Sequence, residues 1–147
     1  MAKKHPSSKK TLDATLLTLC RCESGKPYQS CCEPYHLGLL APTAEALMRS
    51  RYTAYTLGLE PYLLQTWHPN TRPLTLNLSE DQAIKWLGLQ VKQVTSSENT
   101  ATVKFVARYK IGGKAERLHE LSQFVRIENA WYYLRGTDPR TDSDTSY

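Results

Sequence analysis

The chain is predicted to be an α+β protein: a small cysteine module, then helices, then a curved antiparallel sheet with the helices laid across one face. Three observations support this. All four cysteines fall in one short run, CRCESGKPYQSCC, at Cys20, Cys22, Cys31 and Cys32. Ala44, Leu47, Met48, Tyr52, Ala54 and Tyr55 recur at helical spacing. After Gly88 the apolar period changes from 3.6 to 2, the alternation of strands. Helices in one stretch and strands in the next argue for α+β rather than for alternating βαβ units.

Residues 1–15 are expected to be a disordered basic tail. Lys3, Lys4, Lys9 and Lys10 carry much of the net charge of +5, and His5, Pro6, Ser7 and Ser8 between them resist regular structure. Such a tail is solubilising, or touches nucleic acid or an acidic protein. Residues 16–40 form the cysteine module and leave it through a short exit segment, 34–38. The α+β domain spans 41–136, and 137–147, rich in Thr, Asp and Ser, are expected to fray.

Within the domain, Thr43 is the N-cap of a first helix, Glu45 lies in its first turn, and Gly58 follows its end. Glu45 and Arg49 form an i,i+4 pair in the favoured order. Pro61 begins a second short helix over 60–67, which stops before Pro69. Ser79, Glu80, Asp81 and Gln82 have capping-box spacing and open a third helix to about Leu87. Strands follow at 89–94, 101–110, 117–128 and 131–134, with turns at Gly112-Gly113 and Glu128-Asn129. No apolar run reaches the 18 residues that a membrane-spanning helix needs. Leu16 to Leu19 are too short for a signal peptide and follow Asp13, so nothing here looks secreted.

The cysteine spacing points to a metal. Two close pairs are separated by Ser24, Gly25, Lys26 and Pro27, a strong turn signal that folds one pair onto the other. Four thiolates then surround one tetrahedral Zn²⁺ at ~2.3 Å each. Four thiolates leave no open position for water, so the site is structural rather than catalytic. The alternative is redox or disulfide chemistry. Disulfides suit secreted chains, and adjacent cysteines rarely bond to one another. His36 is a substitute ligand in principle but is expected to pack against the module. Arg21 and Lys26 offset the negative charge of a zinc–thiolate cluster.

The run CRCESGKPYQSCC resembles the SEC-C motif, the cysteine module at the C-terminus of the SecA translocation motor. That motif usually runs Cys-Pro-Cys-Gly-Ser-Gly, a few residues, then Cys-Cys or Cys-His. Together with LMRSRYTAY, TWHPNTR, FVARY, HELSQFVR and WYYLRG, the chain is similar to the YchJ-like family of small bacterial proteins over roughly residues 20–136. The resemblance implies a zinc module followed by a nuclear-transport-factor-2-like cone, in the bacterial cytoplasm, with no established activity. The chain departs from the motif at Arg21, where Pro is common, and at Glu23 and Glu33, where Gly is common. A Glu at a position that needs positive φ is mildly strained.

Candidate pocket residues come from the strand alternation. Glu120, Ser122, Phe124 and Arg126 share one face of the third strand, and His119, Leu121, Gln123, Val125 and Ile127 the other. Arg49 and Arg51 approach the first set from the first helix, but residues two apart point about 200° from one another, so only one faces inward. Trp67, His68 and Tyr109 complete the set. As chemistry, Glu120 is a general base or ligand-orienting carboxylate tuned by an arginine. As structure, it is a salt bridge to Arg126, Arg49 or Arg51 at the mouth of the core. The many tyrosines suit a core with hydroxyls at the rim, or a nucleic-acid stacking surface.

Three functions fit the sequence. The first is a zinc-containing interaction protein, with a protein or ribosomal partner suggested by analogy, since the SecA module engages the chaperone SecB and ribosomes. The second is a small-molecule binder or enzyme using the cone, with Glu120 and Arg126 in polar roles. The third is RNA binding through the tail and the cationic module.

Overall fold

The computed structural model describes residues 18–78 and 84–140, and the backbone of 143–145. The basic tail expected at 1–15 and the capping box at 79–82 lie outside the described residues. A 3-10 turn, Tyr28–Ser30, and one helical turn, α1 (Glu33–His36), belong to the cysteine module; α1 occupies the segment expected only as an exit. Helices α2 (Ala44–Leu57) and α3 (Glu60–Gln65) follow. Then come β1 (Ile84–Ser96), β2 (Thr100–Ile111), β3 (Lys114–Ile127), β4 (Ala130–Asp138) and β5 (Ser143–Thr145). The sheet is an antiparallel meander in the order β1-β2-β3-β4-β5, so every strand pairs with its neighbour in sequence.

Helix α2 begins and ends where its caps require. Thr43 Oγ1 accepts the Ala46 N–H at 3.0 Å, a cap worth ~1 kcal/mol. Gly58 stops the helix in the left-handed region, at φ 73°, which costs glycine nothing. Leu47, Met48, Tyr52 and Ala54 are buried, and the helix lies against β1, β2 and β4. The facing sheet surface buries Val103, Phe105, Ala107, Phe124, Trp131 and Tyr133. The hairpins at Gly112-Gly113 and Glu128-Asn129 have positive φ at both central residues, the type I′ geometry that matches strand twist.

Two expectations are corrected. The third helix does not run to Leu87, because Ile84 onward is β1. Trp86 pairs with Tyr109 across the strands and its ring lies 5.8 Å from Tyr52 and 5.5 Å from Tyr109. Aromatic packing on the pleated surface outweighs a weak local helix preference. Register shifts at Trp86/Gly88 and Val91/Gln93 break the alternation, which hid the start of the strand. The expected frayed C-terminus is the second correction: β4 continues to Asp138, and β5 pairs with it from Gly136↔Thr145 to Asp138↔Ser143.

Candidate metal centre

The module is a short loop closed on itself. Leu19 bridges Pro27, the Cys20 N–H donates to Lys26 O at 2.9 Å, and the Tyr28 N–H donates to Thr18 O at 2.7 Å. Between these ties Glu23 and Gly25 take positive φ, 64° and 89°. This turns Cys20 and Cys22 toward Cys31 and Cys32. Glu33 lies in α1 and takes ordinary helical backbone, so of the two glutamates that stand at motif glycines only Glu23 is strained.

The four Sγ atoms lie within 4.8 Å of one another. Cys22 and Cys31 are 3.6 Å apart, and Cys31 and Cys32 are 3.9 Å apart. A tetrahedron with arms of ~2.3 Å has edges of ~3.8 Å, so the sulfur set fits one four-coordinate metal ion. These separations are far beyond a disulfide bond of ~2.05 Å. Cys20, Cys22 and Cys32 are buried, and Cys31 is partly exposed beside the Ser24 hydroxyl at 3.1 Å. Among themselves the thiols titrate unequally. Hydrogen bonds from Cys20 and Cys32 hold Cys22 far below the usual thiol range. Burial pushes Cys31 up to about 11. Hydrogen bonds to Cys20 and Cys22, with burial, push Cys32 higher still. A bound cation would make all four thiolates and release their protons.

The module is seated on the larger domain by polar contacts. Arg49 donates to the Cys22 carbonyl at 2.8 Å while its Nε holds Glu45 at 3.0 Å. Cys20 Sγ meets Thr53 Oγ1 at 3.6 Å inside the protein. His36 Nε2 lies 2.8 Å from Ser50 O. A carbonyl only accepts, so Nε2 carries the proton, and Nδ1 accepts from Tyr28 OH at 2.7 Å. Both ring nitrogens are thus engaged, and His36 acts as a strut rather than a ligand. On the far side, Glu23 reaches Arg108 of β2 at 3.8 Å. The two side chains meet over Gly88, where an added Cβ would lie 2.2 Å from Arg108 and 2.4 Å from Glu23. A side chain there would displace the ends of these two flexible side chains.

The interior of the cone holds a second polar cluster. Glu120 Oε2 accepts from Ser122 Oγ at 2.5 Å and from Tyr133 OH at 3.2 Å. Arg51, only 5% exposed, donates through Nη1 to Leu63 O at 2.8 Å and Thr66 Oγ1 at 2.6 Å. Its guanidinium lies 4.6 Å from the Tyr133 ring centroid and 5.1 Å from that of Trp67. Burial lowers the Arg51 pKa, and burial with the nearby Glu120 carboxylate raises that of Tyr133. Arg51, Glu120, Ser122 and Phe124 all line one cavity of ≈ 50 Å³, with Tyr52 and Tyr133.

The other candidate pocket residues do not line this cavity. Arg49 serves the cysteine module. Arg126 stacks 5.5 Å from the Trp131 centroid. It shares a face with Glu120, but six residues along a strand is ~20 Å, so the expected Glu120–Arg126 pair does not form. Tyr109 packs on Trp86, and Trp67 on Tyr133 with ring centroids 4.9 Å apart. His68 is a loop residue: its N–H donates to Tyr133 O at 2.8 Å and its Nδ1 accepts the Asn70 N–H at 3.0 Å. Tyr133 and Thr53 are central to the two clusters and were missed. The alternation in WYY was the available signal for Tyr133.

The family description "YchJ, middle NTF2-like domain" matches residues 43–136. A UPF0225 protein of Chromobacterium violaceum is 56% identical over 124 residues, covering 80% of this chain and 90% of that protein. One from Bordetella bronchiseptica is 49% identical over 138 residues, covering 91% and 97%. Among solved structures, a SEC-C motif containing protein from Rhodopseudomonas palustris has a TM-score of 0.74 at 37% identity, covering 80% of this chain and 95% of that one. A second, from Psychrobacter arcticus, has a TM-score of 0.68 at 33% identity, covering 88% and 84%. The chain belongs to the YchJ-like family of UPF0225 proteins.

Proposed function

We propose that the protein is a zinc-stapled protein-interaction module of the bacterial cytoplasm, one that associates with the ribosome or the translocation machinery. Zinc is the metal that four thiolates at tetrahedral spacing suit best, and unbonded sulfurs suit a reducing compartment. The observation that carries the interaction reading is the loop between α1 and α2. Leu37, Leu39 and Leu40 are 79%, 62% and 56% exposed. Three neighbouring leucines facing water form an apolar patch of the kind that marks contact sites. The patch is held at one end by His36 on Ser50 and at the other by the Thr43 cap, so it is presented on a fixed support. Arg21 and Lys26 of the module are exposed as well.

The cone interior supports this reading over the small-molecule one. A cavity of ≈ 50 Å³ has room for a few waters, whereas ligand sites run to ~300–1,000 Å³. Glu120 is held by Ser122 and Tyr133 inside it, as a buried structural carboxylate is. The test is co-sedimentation with purified 70S ribosomes and binding to purified SecB. Retention by either, lost in a Leu37→Asp/Leu40→Asp double variant that still binds one zinc, supports the reading. No retention by either partner overturns it.

A further inference from the structure

The helices cover one face of the sheet, and the other face carries a cationic groove that the proposed function does not use. Two adjoining depressions of ≈ 620 and ≈ 420 Å³ share Arg108, Arg117 and His119. Lys92 and Lys104 line one, and Arg140 the other together with Glu116, which Lys114 holds at 3.6 Å. In register, Arg108 of β2 stands directly opposite Arg117 of β3. Like charges at that separation repel, and a sheet has no folding reason to place them so. Among the described residues no carboxylate pairs with Arg117 or Lys104. Arg108 has only Glu23 at 3.8 Å, with both side chains about half exposed, and Arg140 holds Asp138. No outward position of β2 from 102 to 110, or of β3 from 117 to 125, is acidic.

We propose that this outer sheet face binds the phosphate chain of single-stranded nucleic acid. Two arginines side by side match phosphate oxygens better than they match each other, because guanidinium groups bind oxyanions through paired N–H donors. Lys104 lies four residues from Arg108, ~13 Å along the strand, so the charges form a track rather than a point. An open, shallow face without a protruding helix suits an extended strand, and it has nothing to insert into a duplex groove. The flanking apolar and amide groups, Val106 and Gln90, carry no charge pattern that reads sequence, so binding is through the backbone. The interface is distinct from the leucine patch and from the basic tail.

The test is fluorescence anisotropy of the full chain, zinc-loaded, with a labelled mixed-sequence 20-mer RNA between 50 and 200 mM KCl. Binding is expected with a log–log salt slope of about −2, as three phosphate contacts give for a single strand. Arg117→Gln should lower affinity several-fold and reduce the slope by about 0.7. Lys104→Glu/Arg117→Glu should weaken binding more than tenfold with an unchanged melting temperature. Four outcomes would overturn the proposal: no binding at 50 mM KCl; binding unaffected by the double charge reversal, which assigns it to the lysine tail; equal competition by poly-glutamate, which makes the face a generic acidic-peptide site; or tighter binding of a 20-base-pair DNA duplex.

Discussion

The cysteine module and the cone are built by different physics. In the cone, aliphatic and aromatic side chains from α2 and four strands close on each other, with Val103, Phe105, Phe124 and Trp131 at the centre. From 18 to 40 the only buried residues are Cys20, Cys22 and Cys32. The sulfurs are therefore the module's core, and without a cation they are four thiols in contact rather than a packed interior. A segment too small to bury enough apolar surface can be ordered by leaning on a finished fold on one side and, on the other, on a sulfur cluster that a metal ion can join. The seam between the two joins apolar packing, where Cys20, Cys22 and Cys32 share a buried cluster with Leu47, Met48 and Tyr52, to polar ties: Arg49 on the Cys22 carbonyl, His36 on the Ser50 carbonyl, Cys20 on Thr53 and Glu23 on Arg108.

Removing the metal should separate the two regions most sharply. Chelation, or Cys22→Ser, should remove a stabilisation on the order of 10 kcal/mol or more from the module, as in small zinc peptides. Hydrogen exchange should then show residues 18–40 losing protection while β2 and β3 keep theirs. Collapse of both regions together would mean that the module and the cone unfold as one unit. In the cone, Gly136→Ala should reverse the pattern. Its Cβ would lie 2.2 Å from the Glu120 carboxylate, and overpacking of this kind costs ~1–3 kcal/mol. The melting temperature should fall with one zinc still bound.

The seam can be probed by pH. Burial lowers the pKa of His36 below its ordinary 6.5. The unfolded chain therefore binds the proton first as pH falls. Stability is full above about 6.5 and declines from there toward the lower folded value, by at most ~1.4 kcal/mol per pH unit. Denaturant midpoints of the native chain and of His36→Gln between pH 5 and 8 should diverge in that window. Parallel curves would remove His36 from the seam. The smallest effect is expected at Glu23→Gly. It relieves a left-handed glutamate at ~1 kcal/mol and loses a half-exposed ion pair worth less than that, so thermal stability should rise slightly. A clear loss of stability would make the Glu23–Arg108 contact the stronger term.

Local chemistry made much of this legible in the sequence. The Thr43 cap, the Gly58 stop, the two hairpin turns and the inward face of β2 are each set by residues that act over a few positions. The cysteine spacing identified the sulfurs for the same reason. What escaped depends on distant partners. Ile84 to Leu87 are strand because Tyr109 waits across the sheet for Trp86. The choice between Arg49 and Arg51 is made by helix rotation, which period alone leaves open: Arg51 enters the cone and Arg49 turns to the module. Glu120 and Arg126 are the exception: they lie on one strand, and six residues at ~3.3 Å each already set them ~20 Å apart in the sequence. The paired arginines of the outer face became visible only with the β2–β3 register.

The meander of neighbouring strands also sets an order of assembly. Every pairing in the sheet joins consecutive strands, and all four cysteines lie between positions 20 and 32. During synthesis the four cysteines emerge before any residue of the sheet has left the ribosome. α2 emerges next and can seat Arg49 and Thr53 on the finished module. The hairpins then add one at a time, each onto its predecessor, with no long loop to close. Gly88 and Arg108 arrive with the first hairpin, so the Glu23 contact can tie that hairpin to the cysteine loop before β3 and β4 are added.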